Sequence, residues 1–241
     1  MNAALKNNLL YHLYFRQRYV VDRERSEEKS SLPFFRSLFP NKVPLIFDIG
    51  ANHGDYAWVF EQVADKVVCL EPDASNFEFL NLRFARTPQV SIVNSAVGET
   101  VGTHDFFVVN DGSGLNTLSE KRTNDINVRK KVTVQVTTVA KLIEQFGKPD
   151  YIKIDVEGYE VNVLKGLKQK IKLVSFEANL PAFLEESYQC IDMLAALGGN
   201  CSFNYEYENK LVLDKWVSAA EMKNILKNTT TPYANVFCKS E

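Results

Sequence analysis

Long apolar runs are missing from this sequence. No part of the 241-residue chain approaches the roughly 20 apolar positions a helix needs to span a bilayer. A secretory h-region is missing as well, because Lys6, His12, Arg16 and Arg18 interrupt the first turns. Neither sign of charge dominates: 28 Lys and Arg stand against 30 Asp and Glu, for a net charge of −2. No global field therefore draws nucleic acid or an anionic membrane. Cysteine is sparse, with Cys69, Cys190, Cys201 and Cys238 too far apart to form a C-x-x-C pair. Zinc and dithiol chemistry are not signalled, and free thiols in a reducing compartment are the simplest reading. Internal repeats and low-complexity tracts are absent. These absences predict a soluble cytoplasmic protein with no membrane span and no nucleic-acid partner. What is present, 45% hydrophobic residues, suffices for one substantial core with an appendage.

The hydrophobic pattern predicts that organisation. Leu5, Leu9 and Leu13 fall at helical spacing in an amphipathic segment over residues 3–21. A polar link follows over residues 22–31, then an apolar piece with Phe34, Phe35, Leu38 and Phe39. Residues 1–43 are expected to form a helical appendage, which packs on the main domain or mediates a homodimer. From residue 44 to 241, strands near 45–49, 67–71, 90–94, 151–155 and 172–177 alternate with helices near 55–64, 74–85, 138–146, 158–168 and 182–197. That alternation predicts an α/β fold with a doubly wound, mostly parallel sheet. Residues 102–137 break it, and the β-rich stretches His104–Val109 and Lys131–Thr137 read as an inserted antiparallel hairpin. The tail adds strands near 201–207, 209–213 and 233–239.

A second glycine is missing at one informative place. The apolar run Leu45–Phe47 ends in Asp48, and the turn that follows reads Gly50-Ala51-Asn52-His53-Gly54. A strand, a tight loop and a helix start are where an open α/β sheet receives a nucleotide-like ligand. A dinucleotide site spaces its glycines G-x-G-x-x-G to admit a pyrophosphate. Here the spacing is Asp-x-Gly-x-x-x-Gly, and an acid at the strand end would repel phosphate. It suits a ligand carrying an ammonium and a sulfonium, as S-adenosylmethionine does. The run Val67–Leu70 ends in Glu71-Pro72, about 20 residues beyond the loop, where a strand-end acid meets ribose hydroxyls. Glu71 is expected at an exposed strand end.

A third strand, Tyr151–Ile154, delivers Asp155 and Glu157 to the same end of the sheet, and Gly158 turns the chain into a helix. Strand-end acids in one cleft suit a cationic cofactor and can take a proton from a hydroxyl. Candidate bases are Asp155, His53 in the glycine loop, and Glu177 at the end of a further strand. Glu160 reads as an ordinary acid in a helix first turn. No ligand spacing demands a metal, and none is assigned. The loop Asn110–Asn116 reads either as a substrate loop or an ordinary turn, and the cations of Lys121–Lys131 as a solvated face.

Taken together, Phe47-Asp48-Ile49-Gly50-Ala51-Asn52-His53-Gly54, Glu71-Pro72, Ile152-Lys153-Ile154-Asp155-Val156-Glu157-Gly158-Tyr159-Glu160 with Val163-Leu164-Lys165-Gly166, and Val174-Ser175-Phe176-Glu177 resemble the FkbM family of S-adenosylmethionine-dependent methyltransferases. The resemblance spans about residues 44 to 180 in the family's order. It implies a Rossmann-like class I methyltransferase fold and O-methylation of a sugar, glycan or polyketide-like hydroxyl. It also implies that Asp48, Gly50, Asn52 and Gly54 hold the methionine end of the cofactor. Glu71 is then expected to bind the ribose, Asn94-Ser95-Ala96 to flank the adenine, and Asp155 to lie beside the sulfonium or the acceptor. One departure is Val136-Thr137-Thr138-Val139-Ala140, where the family often has Thr-Leu-Asp. The rival expectations are an NAD-dependent oxidoreductase, disfavoured by Asp48 and the missing glycine, and a catalytically silent cofactor-binding module.

Overall fold

The structure is a computed structural model that describes residues 31–197 and 199–240. The helix expected over residues 3–21, and with it the subunit contact, lies outside those residues. In chain order the elements are α1 (Ser31–Leu38), β1 (Val43–Ile49), α2 (Asp55–Val63), β2 (Ala64–Leu70), α3 (Ala74–Arg83), β3 (Val90–Val93), β4 (Ala96–Val97) and β5 (Gly102–Val108). They continue with β6 (Lys130–Thr137), α4 (Val139–Phe146), β7 (Tyr151–Ile154), α5 (Glu160–Lys165), β8 (Leu173–Asn179) and α6 (Leu184–Ala196). The tail holds β9 (Cys201–Tyr207), β10 (Lys210–Leu211), α7 (Ala219–Asn228) and β11 (Tyr233–Ser240). No described helix is long and apolar enough to cross a membrane.

Eight strands form one sheet in the order β10-β9-β11-β8-β7-β1-β2-β3. β1 pairs parallel with β2 and β7, β2 with β3, and β7 with β8. Only the tail side is antiparallel, where β11 inserts between β8 and β9. The predicted α/β architecture is therefore present, with its parallel part built by strand–helix alternation. β1 lies between two parallel partners and is buried along most of its length, as expected for a strand covered on both faces.

Strand side chains alternate between faces, and the core divides accordingly. Leu45, Phe47 and Ile49 of β1 join Ile152 and Ile154 of β7 and Val174 and Phe176 of β8 in one cluster, with residues of α4, α5, α6 and α7. Ile46 joins Val67, Cys69, Tyr151 and Phe237 in the other cluster, under α1, α2 and α3. Aromatic rings dominate this second cluster. Phe35 meets Phe60 edge-on at 4.9 Å and Tyr151 stacks on Phe237 at 6.1 Å, pairs worth about 0.5–1.5 kcal/mol beyond their burial. Leu32, Phe34 and Phe35 of α1 are thus part of the core. The period-2 rule also puts Asp48 on this second, aromatic face.

The predicted hairpin is present as β5 and β6, paired antiparallel from Gly102↔Val136 to Val108↔Lys130. With β4 they make a separate three-stranded sheet. Its buried side, Ala96, Phe106, Val108, Leu118 and Val136, forms a third cluster. That sheet carries the loop Asn110–Asn116 to the carboxyl end of the main sheet.

Candidate active site

The carboxyl ends of β1, β2 and β7 meet where the loop after β1 crosses the end of β7. Gly50 donates its N–H to Leu70 at 3.0 Å, and Asp155 donates to Ile49 at 3.0 Å. A Cβ at Gly50 would lie 1.7 Å from the Asp155 carbonyl oxygen, and φ there is +81°. The first glycine of the loop is thus required by a backbone crossing. Gly54, at φ +79°, starts α2, and a Cβ on it would meet Leu80 and Phe84 at 2.6 Å. It lets α2 approach α3. Asn52 and Glu157, on facing loops, also have positive φ, 49° and 54°, an uncommon conformation that concentrates at functional sites.

A cavity opens beside this crossing, lined by Gly50, Asn52, Glu71, Asn76, Ser95 and Asp155, among others. The loop Asn110–Asn116 roofs it. Asn116 donates to Asp73 Oδ2 at 3.0 Å and to the Asn110 carbonyl at 2.9 Å, and its Oδ1 accepts from the Val109 N–H at 2.9 Å. A Cβ on Gly114 would sit 2.9 Å from Asn52 Nδ2.

Glu71 is buried, with 5% of its surface exposed, contrary to the exposed strand end expected from the sequence. The reason is local. Its two oxygens accept from the Asn52 and Asp73 N–H groups, each at 2.8 Å, so the carboxylate ties the β1 loop to the start of α3. Burial raises its pKa to about 7, while those backbone bonds pull it down. Asp73 in turn caps α3, accepting from Ser75 at 2.8 Å and Asn76 at 3.1 Å. Asn94 donates to the Glu71 carbonyl at 2.9 Å, and the Ser95 hydroxyl donates to Ala96 and Gln135 carbonyls.

Asp48 is fully buried behind the loop. Neither of its oxygens accepts a hydrogen bond from a described residue, and Lys153 Nζ stands 3.6 Å from Oδ1. Burial raises its pKa, with Lys153 opposing. Asn52 Oδ1 and Asn76 Oδ1 are likewise buried without a donor. Asn52 and Asn76 line the cavity, and a small ligand rich in ammonium, amino and hydroxyl donors fits their orphaned oxygens, since each otherwise carries a desolvation cost.

Three acids gather beside the cavity. Ile154 pairs with Phe176 in the β7–β8 ladder, so Asp155 and Glu177 stand one position beyond, on neighbouring strand ends. Glu157 joins them, and one carboxylate oxygen from each lies within 4.8 Å of the others. Each already has a partner: Asp155 the Lys153 ammonium at 3.1 Å, Glu157 Arg122 at 3.0 Å, and Glu177 the Asn179 amide at 2.9 Å. Among the described residues no His or Cys completes this group of three carboxylates. Burial, then the charges of Asp155, Glu157 and Glu160, raise the Glu177 pKa to about 8. Burial and Asp155 raise Glu157 to about 7, against Arg122. Glu160 accepts from the Val156 and Gly158 N–H groups at 3.2 and 3.1 Å, a structural acid in its helix first turn.

Of the predicted site residues, the structure brings Gly50, Asn52, Glu71, Ser95, Ala96 and Asp155 onto one cavity wall, with Glu177 beside Asp155. Asp48, which is fully buried, and Gly54 are not among them, and neither is His53. Its ring packs edge-on against Phe79 at 5.0 Å on the α3 side. Asn76, Asn116 and Lys153 were not predicted. Asp73 before Ser75 and Asn76 was legible as a helix cap, but nothing in the sequence pointed Asn76 at the cavity, and Asn116 stood out only as the end of a loop that reads as a substrate loop or a turn.

Comparison with known proteins agrees with this geometry. The chain is 25% identical over 135 residues to hexuronic acid methyltransferase AglP of Haloferax volcanii, an alignment covering 55% of this chain and 53% of the relative. The chain thus spans about half the length of that curated relative. The fold matches a crystal structure of methyltransferase FkbM from Methylobacillus flagellatus with a TM-score of 0.54 at 15% identity, over 95% of this chain and 53% of that one. The profile of the methyltransferase FkbM domain matches residues 48–207, from Asp48 through the three gathered acids to the end of β9. The chain belongs to the FkbM family of methyltransferases.

Proposed function

We propose that this chain transfers a methyl group from S-adenosylmethionine to a hydroxyl oxygen of a sugar or glycan acceptor. The observation that carries the reading is the grouping of Glu177 with Asp155, which lines the cavity, the Glu177 pKa being raised to about 8 by burial and its acidic neighbours. The AglP likeness supports a sugar acceptor.

The orphaned Asn52 and Asn76 oxygens, together with Glu71 on the same cavity, match a donor-rich, positively charged cofactor. In this reading Asp48, Gly50, Asn52 and Gly54 hold its methionine end, Glu71 its ribose, and Ser95 and Ala96 flank its adenine. When bound, the cofactor supplies a methyl group on a positively charged sulfur. The chain then has two tasks, to align the acceptor oxygen and to take its proton. Glu177 in its ionised form takes the proton. Asp155 faces the reacting centre from the neighbouring strand, and its charge favours that cationic sulfur. Glu157, held by Arg122, raises the basicity of Glu177 through their mutual repulsion. His53 stands apart on Phe79 and is the fallback base.

An NAD-dependent reaction finds no support, since the turn after β1 lacks the second glycine that admits a pyrophosphate. The test is labelled-methyl transfer from S-adenosylmethionine to a panel of neutral and carboxylated sugars. Label in an acid-stable, base-stable ether of a sugar hydroxyl is expected. Label in an ester, an amine or no product at all would overturn the O-methylation reading.

A further inference from the structure

Lys153 is a lysine in the middle of a buried strand, only 4% exposed. Ladder register explains where it points. Lys153 pairs directly with Asp48 across β1 and β7, and Asp155 lies two positions on, on the same face. Its ammonium is 3.1 Å from Asp155 Oδ2 and 3.6 Å from Asp48 Oδ1. The Tyr56 ring of α2 covers it at 4.5 Å, a cation–π contact. Burial alone would push its pKa down, but Asp155 and Asp48 outweigh that and hold the amine protonated.

We propose that Lys153 is a positioning residue that clamps the Asp155 carboxylate, by its Oδ2, in the orientation the methyl-transfer step requires. This rests on the methyl-transfer reading of the cavity. Asp155 is the partly exposed member of the set, with 27% of its side chain accessible against 0% for Asp48. A strand-end carboxylate at an opening would sample several rotamers. Bonding one oxygen to an ammonium that is itself held by Asp48 and Tyr56 leaves the other oxygen in one place. Lys153 does not line the cavity, so its effect passes through Asp155.

A double-mutant cycle tests this. Lys153→Met, Asp155→Asn and the pair are compared in turnover at saturating cofactor, in cofactor affinity by calorimetry, and in melting temperature. Lys153→Met is expected to cut kcat by about 10- to 100-fold, the scale of a misplaced reacting group, and to leave cofactor affinity within about threefold, a change of under about 0.7 kcal/mol. In the Asp155→Asn background it is expected to cut kcat no further. Lys153→Arg, which keeps a cation on the strand, is expected to recover part of the loss. Losses that multiply in the double variant, or normal turnover in Lys153→Met while Asp155→Asn is slow, overturn the clamp. If Asp155→Asn itself turns over normally, the role given to Asp155 falls first, and the clamp with it. Should Lys153→Met melt below the assay temperature, Asp48→Asn/Lys153→Met, which removes both buried charges, is compared with Asp48→Asn alone. Equal kcat in those two variants overturns the proposal.

Discussion

Glu177 accepts a hydrogen bond from Asn179 and stands among two further acids, so its proton affinity is set by its neighbours. With a pKa near 8, it is mostly protonated at neutral pH and becomes a base as pH rises. Turnover is therefore expected to increase through about pH 8 and then level off. Glu177→Gln should cost about 10²–10⁴-fold in kcat, the range of general-base catalysis, and abolish that rise. A pH–rate profile of both proteins checks it, and an unchanged rise in the variant would move the base elsewhere. Glu71 makes a separate prediction. Ribose hydroxyls donate to an ionised carboxylate, so cofactor binding should tighten as pH rises through about 7, where Glu71 ionises. Calorimetry between pH 6 and 8 reads this directly. Gly50 is the steric counterpart. A Cβ there would overlap the Asp155 carbonyl at 1.7 Å, so Gly50→Ala should destabilise the fold by about 3 kcal/mol or more, as strain and clash at a special φ do. Denaturant titration checks it.

The inserted sheet β4-β6-β5 and its loop are the element that closes the site. Asn116 makes three hydrogen bonds that hold the loop Asn110–Asn116 over the cavity. Asn116→Ala leaves Asp73 Oδ2 and the Val109 N–H without those partners, at about 1–3 kcal/mol for buried groups left unsatisfied. Hydrogen exchange in residues 109–117 should speed up in the variant, while exchange in β1 and β7 stays slow. The hairpin itself was legible, because Val132, Val134 and Val136 alternate along β6 and Thr103, Phe106, Phe107 and Val108 enrich β5. The loop's fit over the cavity was not, since it depends on the tilt of one sheet on another. The same division holds elsewhere. Strands ending in Asp48, Glu71 and Asp155 stood out because an apolar run broken by an acid is unusual. Lys153 hid inside such a run, and only the β1–β7 register reveals that it faces Asp48. Helix α7 escaped the sequence reading although Ser218 and Glu221 form a capping box, a pattern visible in the sequence.

At the scale of the molecule, burial of acids links the site to stability. Glu71, Glu157 and Glu160 have pKa values near 7 and Glu177 near 8, all above their unfolded value. The folded chain thus binds more protons than the unfolded one between roughly pH 4.5 and 8, so these groups stabilise the fold fully below that window and lose their contribution as pH rises through it. The ligand-free protein is expected to melt at a lower temperature at pH 8.5 than at pH 6, and a melting temperature that rises over that interval would contradict the burial of these acids. A bound cation should narrow the difference, because it favours their charged forms. The overall α/β architecture was readable because parallel strands and covering helices each leave their own period in the sequence. The antiparallel tail strands were also readable one by one, while the insertion of β11 between β8 and β9 was not, because sheet order is set by packing between distant segments. In the proposed function the cavity at the ends of β1, β2 and β7 takes S-adenosylmethionine for methyl transfer. The most direct measurement is calorimetric titration of the chain with S-adenosylmethionine and, separately, with NAD. Saturable one-site binding of S-adenosylmethionine is expected, weakened by about 1.5–3 kcal/mol in Asp48→Ala, the scale of a hydrogen bond to a charged group, with no heat from NAD. Binding of NAD, or S-adenosylmethionine affinity indifferent to Asp48, would contradict it.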